Sequence, residues 1–144
     1  MKIVVLKFGG TSVGTIGKIK KIAKIICDYK KKNYKVIVVT SAMSGVTNEL
    51  IKKSKEISDN FSKEEYDVLV SSGEQVACAL IAGRLIDQGL KSRSWLAWQI
   101  PILTRGHHKN SRIANINKNK IFKYLKEGGV PIVTGFQGIN NEER

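Results

Sequence analysis

The chain predicts an α/β fold, a three-layer αβα sandwich around a mainly parallel sheet. Three observations carry that prediction. Short β-branched runs alternate with long amphipathic segments, and strands separated by helix-length connections pair in parallel with helices on both faces. Three runs end in loops of small residues: Gly9-Gly10-Thr11-Ser12, Ser41-Ala42-Met43-Ser44-Gly45 and Gly135-Phe136-Gln137-Gly138. Ligands of parallel sheets gather beyond the carboxyl ends of the strands, so these loops should share one edge. The 144 residues suffice for one domain, and a domain of that size buries about 68–70% of its unfolded surface.

Ile3 to Phe8 reads as the first strand, a β-branched run stopped by paired glycines. Glycines let the backbone approach a ligand, because no Cβ stands in the way. Thr11 and Ser12 offer caps for the following helix. Exposed N–H groups beside Lys7 make an anion site suited to phosphate; the plainer alternative is a strand–turn–helix with a solvated lysine. The loop is not a Walker A loop, because Thr15-Ile16 stands where that motif needs lysine and a hydroxyl. Nor is there a Gly-x-Gly-x-x-Gly dinucleotide fingerprint.

Ile16 to about Lys31 forms the first helix. Ile19, Ile22, Ala23 and Ile26 supply its apolar face, and Lys18, Lys20, Lys21 and Lys24 its wet one. Lys30-Lys31-Lys32 falls where cations suit a helix C-terminus. Val36 to Thr40 is a second buried strand. Thr47 caps or opens a helix carrying Leu50 and Ile51. Ser62-Lys63-Glu64-Glu65 matches a capping box, and the helix it starts should reach Val70 before Ser71-Ser72-Gly73. A further helix, Glu74 to Gln88, places Ala77, Leu80, Ile81 and Leu85 on one face, with Gly89 at its C′ position.

Ser94 to Trp98 reads as a strand, with Trp95 and Trp98 as core or interface residues. Pro101 separates it from Ile102-Leu103-Thr104, and the polar stretch Arg105 to Asn110 follows. A helix from about Asn117 to Glu127 ends at Gly128-Gly129. Val130 to Thr134 is the last strand.

The bulk properties narrow the function. No apolar run approaches the roughly 18 residues of a membrane span, and Lys7 interrupts the initial run too early for a signal peptide. Cys27 and Cys78, without Cys-x-x-Cys spacing, read as reduced core thiols of a cytoplasmic protein. The net charge of +13 admits an anionic partner such as nucleic acid. The lysines are spread along helices without aromatics interleaved for stacking, so solvated faces are the simpler reading.

Four segments in this order, Lys7-Phe8-Gly9-Gly10-Thr11-Ser12-Val13, Ser41-Ala42-Met43-Ser44-Gly45-Val46-Thr47-Asn48, Ser72-Gly73-Glu74-Gln75 and Thr134-Gly135-Phe136-Gln137-Gly138, resemble the aspartate kinase family of the amino acid kinase superfamily. The stretch from Ser92-Arg93-Ser94-Trp95 to Trp98-Gln99-Ile100-Pro101-Ile102 is similar to its bacterial members. The resemblance implies an amino acid kinase-like fold. It implies transfer of the γ-phosphate of ATP, carried with Mg²⁺, to the β-carboxylate of L-aspartate, which opens the route to lysine, threonine and methionine. Lys7 would touch the transferring phosphate, with Gly9 and Gly10 donating N–H groups and Thr11 and Ser12 lining the loop. Ser41, Ala42 and Thr47 would border the aspartate site. Glu74 would hold the substrate ammonium; the alternative is a favourable charge at a helix start. The chemistry suits these residues. A carboxylate with pKa near 3.9 is ionised at neutral pH and needs no general base. The protein must align two anions and stabilise the transferring phosphoryl group.

Two departures stand against this pattern. Thr104-Arg105 replaces Thr-Asp, and His108-Lys109 replaces His-Gly, although Arg112 is kept. His107-His108 makes a poor metal site without further ligands, and no protein-ligated metal is expected. The family continues past Gly138 into a segment that this chain does not contain. By resemblance, residues 1–144 are the substrate-side part of a truncated kinase domain, with the nucleotide-binding half and the ACT domains absent. Three expectations follow: little activity alone, an unpaired edge or apolar face where the sheet is cut after Val130–Thr134, and a partner chain or a homo-oligomer. The alternatives are a basic nucleic-acid-binding module, whose binding should weaken steeply with salt, and another member of the superfamily.

Overall fold

A computed structural model describes residues 2–106 and 111–140. The elements run β1 (Ile3–Phe8), α1 (Ile16–Lys31), β2 (Lys35–Thr40), α2 (Val46–Ile57), α3 (Lys63–Asp87), β3 (Ser92–Trp95), β4 (Ile102–Arg105), β5 (Arg112–Ile116), α4 (Asn119–Lys126) and β6 (Val130–Thr134). His107, His108 and Lys109 lie outside the described residues.

The main sheet has the order β1-β2-β6-β3, and every pair is parallel. The last strand is therefore interior. No unpaired edge lies at Val130–Thr134, because β6 inserts between β2 and β3 and finds a partner on each side; the edges of this sheet are β1 and β3. Alternation of side chains then divides the core. On one face Val36, Val38, Val130 and Ile132 meet Ile19, Ile22 and Ile26 of α1 and Cys78, Ile81 and Leu85 of α3. On the other, Val133 and Trp95 pack on Ile121 and Leu125 of α4, with Ile37 and Val39 alongside. This second layer leaves β1 uncovered, where Val5 is 58% exposed. The exposed apolar residues of the sheet, Ile3 and Val5, thus lie on the edge strand β1 and not at Val130–Thr134.

α3 departs most from expectation. Ser71-Ser72-Gly73 does not break it; one helix runs from Lys63 to Asp87. The two serines turn back on their own helix, Ser71 Oγ donating to Val68 O at 2.9 Å and Ser72 Oγ to Leu69 O at 2.6 Å, so hydroxyls that could have capped a new helix are consumed locally. Ser62 caps the helix as read, its Oγ accepting from Glu65 N, while it donates to Glu64 Oε2 at 2.6 Å. By length and composition α3 could cross a membrane, with mean hydropathy 1.3 over its most apolar stretch, but its buried side is spent on the core. Leu80 turns outward rather than joining Ala77, Ile81 and Leu85.

The region after β3 also differs. β3 covers Ser92–Trp95 and stops before Trp98; Trp95 is 5% exposed and Trp98 52%. A two-stranded antiparallel sheet, β4 with β5, follows. β5 is exposed along its whole length and carries no strong strand signal. Leu103 bridges to Ile139, which anchors this ribbon to the segment after β6.

Candidate active site

The carboxyl ends of β1, β2 and β6 lie side by side, so the three small-residue loops share one edge. Ser41 N donates to Phe8 O at 3.1 Å and Gly135 N to Thr40 O at 2.8 Å, tying the loops in sequence across the sheet.

Lys7 occupies the penultimate position of β1 and pairs in register with Val39. Its neighbours Leu6 and Phe8 pack toward α1 and α3, so alternation sends Lys7 to the uncovered face. Among the described residues its ammonium takes no hydrogen bond or ion pair and is available to a ligand. The turn that follows is closed by Ser12 N donating to Gly9 O at 2.9 Å and Val13 N at 3.3 Å. The N–H groups of Gly10 and Thr11 find no acceptor among the described residues. A Cβ on Gly10 would stand 3.0 Å from Ala42 O; only glycine lets the first loop rest on the second.

Thr11 and Ser12 are exposed and do not cap α1. Thr15 does, accepting from Lys18 N at 3.2 Å, while Lys18 Nζ donates to Thr11 O at 2.8 Å. Lys18 therefore braces the loop, a role that sequence could not separate from the other lysines on the same wet face.

Ala42 is buried and Ser41 half-buried. Gly45, with φ +86°, turns the chain into α2, and no side chain caps that helix. Thr47 therefore opens α2 rather than capping it. It sits in the first turn, where free N–H groups and the positive end of the helix favour an anion.

Glu74 is 6% exposed and lies mid-helix, which removes the reading of it as a helix-start charge. Its Oε2 accepts from Phe136 N at 2.7 Å. Burial pushes its carboxyl above the usual range, opposed by the N–H groups of Phe136, Gly135 and Ala42. The Gly135 N–H is chiefly committed to Thr40 O, so Phe136 is the stronger partner. α3 approaches closely because Gly73 has no side chain. A Cβ there would meet Val46 Cγ1 at 3.0 Å and Ala42 Cβ at 3.2 Å. One turn beyond Glu74, desolvation and then the Glu74 charge push the Cys78 thiol up to about 12, so it stays protonated and packs as a core group.

The structure thus joins Gly10, Ala42, Glu74 and the Gly135-Phe136 turn in one contiguous site. Lys7 and the first turn of α2 stand on its rim. No cluster of three metal-ligating side chains exists among the described residues.

Comparison with known proteins identifies the family. The chain is 47% identical over 147 residues to an aspartokinase of Rickettsia conorii, covering all of this chain and 37% of that protein. It is 46% identical over 139 residues to an aspartokinase of Geobacillus stearothermophilus, covering 96% of this chain and 34% of that protein. It therefore spans about a third of the length of these curated relatives. Among solved structures, aspartate kinase from Synechocystis superposes with a TM-score of 0.81 at 35% identity, covering 100% of this chain and 23% of that one. Escherichia coli aspartokinase III, solved with aspartate and ADP, shares the fold, with a TM-score of 0.82 at 21% identity, covering 100% of this chain and 42% of that one. The pattern of the amino acid kinase family matches residues 2–144, the whole described site included, and the chain belongs to that family.

Proposed function

We propose that this chain is the substrate-side part of an aspartate kinase, which transfers the γ-phosphate of ATP to the β-carboxylate of L-aspartate. One observation carries the reading. A lysine, a glycine turn with free N–H groups and an uncapped helix start meet a buried carboxylate at one sheet edge, within a chain 47% identical to an aspartokinase.

The division of labour follows from charge. Aspartate and ATP are both anions, and two unit charges 4 Å apart repel by about 4 kcal/mol at an effective dielectric of 20. Lys7 and the N–H groups of Gly10 and Thr11 supply positive potential for the transferring phosphate. The first turn of α2, with Ser41, Ala42 and Thr47, receives a substrate carboxylate. Glu74 receives the ammonium group. The acceptor oxygen is already ionised, so positioning and charge stabilisation constitute the catalysis. Mg²⁺ would accompany ATP and offset charge on its phosphates, and the exposed hydroxyls of Thr11 and Ser12 are the loop oxygens that would help hold it.

The uncovered face of β1, with Val5 and Ile3 exposed, receives further protein, supplied by the rest of a kinase domain or by a second chain. We place the protein in the cytoplasm, consistent with its free cysteines.

The test is ADP formation with Mg-ATP in a protein that joins this chain to the remaining portion of an aspartate kinase. Turnover should require L-aspartate. Equal turnover with glutamate or a nucleoside monophosphate would place the chain elsewhere in the superfamily. Salt-sensitive binding to DNA near 50 mM salt, without aspartate-dependent turnover, would favour a basic binding module.

A further inference from the structure

We propose that Gln137 is a positioning residue: it locks the turn after β6 onto α3 before any ligand binds, and so presents the Phe136 N–H to Glu74. The inference rests on the reading of Glu74 as a substrate contact, but its structural half stands independently of that reading.

Gln137 is bonded at both ends of its amide. Its Nε2 donates to Ser71 O at 2.8 Å, and its Oε1 accepts from Thr134 Oγ1 at 3.0 Å. The orientation is fixed by chemistry. A carbonyl can only accept, so the nitrogen must face Ser71 and the oxygen must face the threonine hydroxyl. Ser71 O lies within α3, and its second lone pair is free for a side-chain donor. Thr134 is the last residue of β6 and is buried. Gln137 therefore connects the end of the central strand to the helix that carries Glu74, three residues along from Ser71.

The Glu74–Phe136 bond closes the same gap from the helix side. Two cross-links, both donated from the turn to α3, one through a side chain of the turn and one to a side chain of the helix, span a turn whose residues Gly135 and Phe136 are exposed. Phe136, 79% exposed, gains little from burial, so hydrogen bonds must hold the turn in place. A glycine-bounded turn with exposed side chains would otherwise sample many conformations. Without the Gln137 link, Glu74 would lose its ordered N–H partner, and its carboxylate would no longer be aimed.

The test is amide hydrogen exchange of this chain in the absence of ligand, comparing wild type with Gln137→Ala and Gln137→Glu. Loss of one such link should speed exchange at the Phe136 amide about tenfold, with Val38 and Ile132 in the sheet unchanged as a check on folding. Gln137→Glu keeps the acceptor for Thr134 but sets a carboxylate against Ser71 O, so it should lose protection equally. Unchanged exchange at Phe136 in Gln137→Ala would overturn the proposal. In the joined kinase, Gln137→Ala should raise KM for aspartate several-fold and leave KM for ATP unmoved; an equal rise in both would also overturn it. Failure of the functional reading appears differently, as a wild-type kinase whose turnover ignores aspartate while the exchange result holds.

Discussion

Two glycines of α3 allow the packing argument to be tested on a single helix. Gly73 and Gly83 both lie inside it. Replacing a helical glycine by alanine stabilises by about 0.5–1 kcal/mol, because alanine loses less backbone entropy on folding. Around Gly83 no atom lies within 4 Å of an added Cβ, so Gly83→Ala should realise that gain in full. At Gly73 the added methyl meets Val46 Cγ1 at 3.0 Å, Ala42 Cβ at 3.2 Å and Leu50 Cδ1 at 3.4 Å. Ala42 Cβ is fixed to the backbone and cannot rotate away. Overpacking of this kind costs about 1–3 kcal/mol. Gly73→Ala should therefore fall between neutral and about 2.5 kcal/mol destabilised. At this size each kcal/mol moves the melting temperature by about 2–4 °C. Urea denaturation of both variants, with m-values compared to confirm a common transition, reads the difference. If Gly73→Ala proved as stabilising as Gly83→Ala, α3 would not press on Ala42 and α2, and the site assembled here would be wrong.

Other outcomes follow from the same geometry. Lys7→Met, placed in a complete kinase, should lower kcat by about 10²-fold or more, while its exposed position keeps stability within about 0.5 kcal/mol; steady-state kinetics and a melting curve measure both. The pH dependence of folding carries the signature of Glu74. Its folded carboxyl titrates above the usual value because of burial, so the folded state holds its proton more tightly than the unfolded chain. Its contribution to stability is greatest below the ordinary carboxylate range and declines as pH rises through the unfolded and then the folded value. Glu74→Gln should remove that decline, and denaturation curves from about pH 4 upward would show it. Leu85→Ala, at a fully buried site between helix and sheet, should cost about 2–5 kcal/mol in urea denaturation. If, as proposed, these residues are only the substrate-side part of an aspartate kinase, the 144-residue chain alone should show no appreciable ADP formation with aspartate, because a phosphate loop without a nucleoside site binds ATP weakly; robust turnover by a monodisperse monomer would contradict this.

The strands β1, β2 and β6 and the helices α1 and α4 were legible in the sequence because they depend on local patterns, whereas β3 lies two to three residues earlier than its apolar pattern suggests. β-branched runs, amphipathic spacing and glycine stops act within a few residues of one another. The site loops were legible for the same reason, since small residues after buried strands mark close backbone approach. What sequence could not decide was settled by partners distant along the chain. Ser71-Ser72-Gly73 reads as a break, and α3 continues through it because the serines bond their own helix and Gly73 is needed for contact with Ala42 and Val46. β5 has no local signal and exists through pairing with β4. β6 is last in the chain yet central in the sheet, since strand order depends on which edges find partners. Glu74 gained its environment, and Gln137 its anchoring, from segments some sixty residues away in sequence. Backbone preference and periodicity are short-range and can be read directly from the residues. Burial, register and hydrogen-bond completion depend on long-range contacts and appear only once the chain has folded.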